Sequence, residues 1–417
     1  MDNIPISEVL SSIKNSRTFN GAAAGTSPLC KHACDMIETM KKKSIICILI
    51  ILITILSGCS IEKIVLPAQK EVTDKTIKDI FEEHEIKAGT CVSSYVIGNN
   101  SMSDLILEQF CSITMENAMK PDYILNQDRS KAEGRLIVEY NNEAVSILKW
   151  AKENDLSMRG HTLIWYSQTP DWIFREGFDN KGALVGRWEM LTRMESLISG
   201  NFEELERLGY LDLFYAYDVV NEALIEDGSI RKSHWTETIG DDYIWYAFYF
   251  ADKYAPQTID LYYNDYNEQY KADHLAEFVG TLTDEDGRSL IDGIGLQAHL
   301  YTSDDLKGYF NAVDTLAQTD LKLQLTEVDV GLGKYQNPLS PTDANLKNQG
   351  RFCYDLISGL FERVDSGMAK IDAITFWGFS DGISWRKEYS PQLYDSDLNP
   401  KYALYGAMQI YDYSGYK

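Results

Sequence analysis

The chain has 417 residues, 44% of them hydrophobic, with 26 Tyr, 15 Phe and 8 Trp. A formal charge of −24 argues against nucleic acid as a partner, because phosphate binding needs clustered Lys and Arg, and no acidic run is long enough to read as a disordered tail. Flat rings stack on the apolar faces of pyranoses, so the aromatic abundance suits a sugar-binding cleft; it suits a packed core equally well.

The first recognisable element is an export signal. Lys41, Lys42 and Lys43 precede a 12-residue apolar run, Ile45 to Leu56, that leads into Ser57-Gly58-Cys59. A basic start, an apolar stretch of this length and small residues at its end make a secretory signal, whereas a spanning helix needs about 18 or more apolar residues. The segment Leu56-Ser57-Gly58-Cys59 resembles a bacterial lipobox, which makes Cys59 the expected lipidated first residue of the mature chain. Such signals stand at the start of a chain, which favours translation from Met40. Residues 1–39 are then a spurious or disordered extension, 40–58 the signal peptide, 59–74 a linker and 75–417 the catalytic domain. The expected location is the bacterial cell surface or elsewhere outside the cytoplasm, with the membrane touched through the lipid anchor only.

Seven cysteines are present. Cys30 and Cys34 lack His or Cys partners at zinc-site spacing, so no metal is expected, and Cys91 and Cys111 form a candidate pair.

From about residue 70 short apolar runs alternate with amphipathic ones, with no linker or repeat between them. The strand-like runs are Ala88 to Val96, Phe110 to Met115, Met158 to Trp165, Phe214 to Val220, Ile259 to Tyr263, Ile291 to Ala298, Lys322 to Val328 and Ala373 to Trp377. Helical spacing marks Glu143 to Asn154, Glu189 to Ile198, Tyr243 to Lys253 and Ala344 to Phe361. Eight strands with helices between them predict an α/β fold, a (β/α)8 TIM barrel forming a single catalytic domain. An open doubly wound sheet would show a Gly-rich phosphate loop after its first strand, and none is present.

In a barrel the active site is built at the C-terminal strand ends. The second strand ends in Glu116, Asn117 and Lys120; the third in His161, Trp165 and Gln168; the fourth in Asp218, Asn221 and Glu222. Asn264, Asp265, Tyr266 and Asn267 follow on the fifth, Gln297 and His299 on the sixth, Glu327 and Asp329 on the seventh. Trp377 closes the eighth, with Trp385 in the loop beyond; His234 and Trp235 read as loop packing. Two glutamates on separate strands among amides and tryptophans suit glycosidic cleavage: one carboxyl protonates the leaving oxygen, and the other attacks the anomeric carbon or activates water. Sequence leaves the choice between those two outcomes open.

The motifs resemble glycoside hydrolase family 10, the endo-β-1,4-xylanases, over about residues 75–412. They are Thr114-Met115-Glu116-Asn117-Ala118-Met119-Lys120, Arg159-Gly160-His161-Thr162-Leu163-Ile164-Trp165 and Asp218-Val219-Val220-Asn221-Glu222-Ala223. Asn264-Asp265-Tyr266-Asn267, Gly293 to His299, Thr326-Glu327-Val328-Asp329 and Trp377-Gly378 complete the series in family order. The resemblance implies a retaining endo-xylanase with Glu222 as acid/base and Glu327 as nucleophile. It implies that His299 and Asp329 orient and tune the nucleophile, and that Asn221 and Gln297 lie near the sugar's 2-hydroxyl and the nucleophile. Glu116, Asn117, Lys120, His161, Trp165 and Gln168 match non-reducing-side contacts, Trp377 and Trp385 the aromatic walls, and Tyr266 a reducing-side contact.

The chain departs from the family at Tyr166, where His is frequent, at Met115 and Ala118 around Glu116-Asn117, and at Pro121, where Trp is common. These changes bear on the outer cleft and remove no catalytic group. No cofactor is implied, and the expected ligand is xylan or xylo-oligosaccharide. A β-1,4-glucan or mixed-linkage glucan hydrolase and a non-catalytic glycan-binding lipoprotein are the competing readings.

Overall fold

Eight parallel strands form because their apolar runs are buried on both faces, by the barrel core inside and by helices outside. The computed structural model describes residues 74–410. The expected lipidation site, Cys59, the signal peptide and residues 1–39 lie outside that range. The strands are β1 (Lys87–Val92), β2 (Ser112–Met115), β3 (Ser157–Gly160), β4 (Phe214–Asn221), β5 (Asp260–Asp265), β6 (Gly293–Leu296), β7 (Lys322–Gly331) and β8 (Ile371–Phe376). Each pairs with the next in parallel, and the register Thr90↔Phe376 between β1 and β8 closes the ring. The (β/α)8 barrel expected from the alternation is therefore the fold observed.

Two short extensions matter for the site. Ile164–Trp165 pairs beside the end of β4, with Trp165 opposite Asn221, and His299–Tyr301 pairs beside the end of β7, with His299 opposite Asp329. Both carry side chains beyond the main strands onto the rim.

Helices form the outer layer. Asn142–Glu153 starts where the Asn141 side chain accepts from the Ala144 amide, satisfying a donor with no intrahelical partner. Arg187–Leu208 runs 22 residues, well past the expected Glu189 to Ile198, and stops at Gly209 in the left-handed conformation. Asp343–Asp365 is capped by Thr342. The first strand-like run is shorter than expected: β1 ends at Val92, and Ser94–Ile97 is a helical turn.

Cys91 and Cys111 are both free thiols. The β1–β2 register sets Cys91 opposite Thr114, so Cys111 lies three residues further back along the neighbouring chain. At about 3.3 Å per residue that offset exceeds the Cα separation a disulfide tolerates. The candidate pairing is thereby corrected.

Candidate active site

The strand ends enclose a cleft of about 1060 Å³. Its lining includes Glu116, Asn117, Lys120, His161, Trp165, Gln168, Asn221, Glu222, Tyr266, Gln297, His299, Glu327, Trp377 and Trp385, all singled out in the sequence. Asp218, Asn264, Asp265 and Asp329, also at the strand ends, lie behind that lining; the case of Asp329 is the clearest. Asp329 is buried behind His299, reaching the cleft only through its neighbours.

Glu222 follows the last residue of β4, and its amide donates to the Asn264 carbonyl at 2.9 Å. Its φ of +55° swings it out of the extended ladder, a conformation unusual for a residue with a Cβ. The carboxyl is 8% exposed as a residue and accepts from Gln297 Nε2 at 3.0 Å and Asn221 Nδ2 at 3.2 Å. Burial raises its pKa above the ordinary glutamate value; Glu327 and Asp265 add to the rise, against the Gln297 hydrogen bond.

Glu327 sits within β7, 5% exposed, and is tuned the other way. Burial opposes its ionisation. The hydrogen bond from His299 and the positive field of His161, His299 and Lys120 outweigh that and hold the carboxyl at about 2. His299 Nε2 lies 3.3 Å from Glu327 Oε2, and its Nδ1 lies 3.2 Å from Asp329 Oδ1. Although burial lowers the His299 pKa, Asp329 and Glu327 raise it to about 10. Asp329 is anchored in turn by Arg386 and by Trp385 Nε1 at 3.2 Å.

An amide network joins the two carboxyls. Asn264 Nδ2 donates to Glu327 Oε1 at 2.9 Å and to Asn221 Oδ1 at 2.9 Å, and Asn221 and Gln297 both donate to Glu222. Thr326 Oγ1 donates to Asn264 Oδ1 at 2.6 Å and so fixes the side-chain amide. Gly295 on β6 makes room: a Cβ there would lie 2.4 Å from Asn264 Oδ1.

On one side of this pair, Lys120 Nζ donates to Gln168 Oε1 at 2.8 Å and Asn117 Oδ1 at 3.0 Å, and lies 5.0 Å from the centre of the Trp165 ring. Gln168 also donates to Asn117 at 3.1 Å. His161 Nδ1 is 2.8 Å from Asp218 Oδ2, and Asp218 is held by a buried two-pronged contact from Arg159. The Trp377 ring meets His161 edge-on, and Trp385, 57% exposed, meets His299. A protonatable carboxyl beside a strongly ionised one, with sugar-sized aromatic walls, can deliver a proton and a negative charge to opposite sides of one bond.

The family model for glycosyl hydrolase family 10 matches residues 76–410. The chain belongs to that family. Endo-1,4-beta-xylanase B of Butyrivibrio fibrisolvens is 34% identical over 349 residues, covering 80% of this chain and 53% of that one. The bifunctional endo-1,4-beta-xylanase XylA of Ruminococcus flavefaciens is 35% identical over 344 residues, covering 80% and 34%. This chain thus spans about half of the first relative and a third of the second. Among solved structures, the N-terminal endo-1,4-beta-D-xylanase 10B of Clostridium thermocellum, its CBM22-1 and GH10 modules complexed with xylohexaose, superposes with a TM-score of 0.73. It is 32% identical and covers 81% of this chain and 68% of that one.

Several further residues line the cleft without a signal in the sequence. Tyr270 lines the cleft from the helix Glu268–Val279, Tyr301 from the His299–Tyr301 extension, Lys334 and Tyr335 from a short hairpin and Arg386 from the segment after Trp385, none of them at the end of a barrel strand. Arg231 reaches the site from the hairpin after Glu222, and Asn264 was noted only as part of a polar cluster. Trp235 is buried and donates to the Trp165 carbonyl at 3.0 Å, so it packs as expected, but from the short helix His234–Thr238 rather than a loop; His234 contacts Asp171 and Glu237.

Proposed function

We propose that this family 10 chain is an endo-1,4-β-xylanase working by retaining double displacement. The observation that carries the reading is the opposed tuning of two buried carboxyls joined by Asn264, Asn221 and Gln297. Glu327 attacks the anomeric carbon while Glu222 gives its proton to the glycosidic oxygen. The bond to the leaving sugar breaks as the bond to the Glu327 carboxylate forms. Esterified, Glu327 has no charge left to raise the Glu222 pKa, so Glu222 turns into the base the second step needs. It takes a proton from water, the water oxygen attacks the anomeric carbon, and the Glu327 carboxylate leaves. Two inversions retain configuration.

Asn221 and Gln297 stand where amides can follow the sugar's 2-hydroxyl as charge develops on the ring. Glu116, Asn117, Lys120, His161, Trp165 and Gln168 form the non-reducing-side contacts, and Tyr266 a reducing-side one. Trp377 and Trp385 are the stacking walls. Xylan as the substrate is supported by the names of the relatives and by the xylohexaose bound to the similar clostridial enzyme. Proton NMR of the first product from xylopentaose tests the mechanism: the β-anomer is expected, and initial α-anomer would refute retention. Rates on xylo- and cello-oligosaccharides test the substrate, and faster cleavage of the latter would overturn xylan.

The same reading places the barrel outside the cytoplasm, anchored through Cys59. The basic, apolar and small-residue sequence from Lys41 to Cys59 supports it. Expressed in a bacterium with an alkynyl fatty acid, the wild type should be labelled and sediment with membranes, and Cys59→Ala should do neither. An unlabelled wild type would refute the anchor.

A further inference from the structure

Resting on the reading of Glu222 as proton donor, we infer that Arg231 is a positioning residue that ties the leaving-sugar platform to the acid. The chain after Glu222 folds straight back: Leu224 and Ile230 bridge antiparallel, and the Arg231 amide donates to the Ala223 carbonyl at 2.7 Å. Gly228, at φ +80°, turns the hairpin. Arg231, nine residues further along the chain, is thereby brought beside Glu222 itself.

Its guanidinium then makes three contacts at once. Nε donates to the Glu222 carbonyl oxygen at 2.9 Å. Nη2 donates to the Tyr266 hydroxyl at 2.8 Å, and the guanidinium carbon lies 4.5 Å from the centre of the Tyr166 ring. Tyr166 and Tyr266 both line the cleft, and Tyr166 is 43% exposed there. Among the described residues no carboxylate pairs with Arg231; the cation is divided among a carbonyl, a phenol and a ring face. A structural arginine in a chain of charge −24 would have acids in plenty to choose from.

The carbonyl it holds belongs to a residue whose φ is unfavourable for any side chain with a Cβ, so that backbone needs an anchor. The two rings it braces stand beside the acid: Tyr166 feels the Glu222 charge, after burial the main reason its phenol is pushed up to about 12. One rigid, planar side chain therefore sets the spacing between the surface on which the departing sugar stacks and the carboxyl that must protonate its oxygen. Proton transfer needs hydrogen-bond reach, and a misplacement of about 1 Å can cost about 100-fold. Lysine has the charge but not the fork, so it cannot hold all three partners.

The test compares wild type, Arg231→Lys and Arg231→Ala on xylotetraose, whose leaving group must be protonated, and on 2,4-dinitrophenyl β-xylobioside, whose leaving group need not be. Arg231→Ala should lower kcat/KM on xylotetraose about 100-fold, chiefly through kcat, and on the aryl glycoside by no more than about threefold, with Arg231→Lys between. The aryl substrate uses the same nucleophile and the same fold, so its retained rate separates mispositioning from unfolding. Equal losses on both substrates, or none on xylotetraose, would overturn the inference. A wild type inactive on both would instead refute the roles assigned to the two glutamates.

Discussion

Removing the His299 imidazole tests the charge balance of the site directly. His299 lies 3.3 Å from Glu327 and 3.2 Å from Asp329. Its pKa of about 10 in the fold stands above the ordinary 6.5, so its contribution to stability is complete below 6.5 and is lost as the pH rises toward 10. Glu327 is held at about 2, below the ordinary 4.5, so its contribution is complete above 4.5 and is lost as the pH falls toward 2. The interaction is therefore whole only between pH 4.5 and 6.5. The Glu327 displacement, at about 1.4 kcal/mol per pH unit, corresponds to about 3 kcal/mol. The His299 displacement is larger because Asp329 contributes to it as well, and His161 and Lys120 share in the Glu327 displacement, so about 3 kcal/mol is the upper bound for this contact. Urea unfolding of wild type and His299→Ala from about pH 3 to about pH 10 should give a difference curve with a plateau standing above its flanks by up to about 3 kcal/mol. The packing lost with the ring adds an offset that does not vary with pH, so the shape carries the test rather than the height. A difference that is flat, or that grows on the alkaline side, would refute the ion-pair reasoning.

Four further outcomes are expected. Glu327→Ala should lower turnover of every substrate by about 10⁴-fold or more, whereas Glu222→Ala should keep its first step on a dinitrophenyl xylobioside and be accelerated by azide, read as a glycosyl azide product. Glu327→Gln removes a charge that raises the Glu222 pKa, so the Glu222 carbon resonance should titrate at lower pH than in wild type; an unchanged or higher midpoint would contradict the coupling. Trp385→Ala should raise KM for xylo-oligosaccharides about tenfold with a smaller change in kcat, since the ring is an exposed wall of the cleft rather than a reacting group.

The two glutamates were legible because a barrel collects its strand ends on one rim, so Glu222 after β4 and Glu327 on β7 are brought together by the fold class itself. The amide, Lys120 and His161 positions were legible for the same reason. Asp329 was legible as a position but not as a buried one; its distance from the cleft follows from the His299–Tyr301 extension pairing over the end of β7. Arg231 was not legible. Its place depends on a hairpin closed by Leu224 and Ile230, and a loop arginine carries no periodic signal. Tyr335, at the turn of a short hairpin, was hidden for the same reason. The helix Arg187–Leu208 was expected at half its length because Glu203, Glu204 and Glu206 dilute the apolar spacing of its second half, although Phe202 and Leu205 still bury.

The pairing of Asn221 with Asn264 across β4 and β5, and of Asn264 with Gly295 across β5 and β6, has a consequence for how such a chain can diverge. The spacing of the two buried carboxyls is written in hydrogen-bond register, and register changes only in whole residues. A single-residue insertion in any of these strands would turn an inward amide outward and sever the link between the carboxyls. Loops such as the one carrying Lys334 and Tyr335 lie outside that register, so they can lengthen or be replaced and recontour the cleft while the chemistry stays where it is. The contour of the cleft and the spacing of its carboxyls are thus free to change on separate schedules.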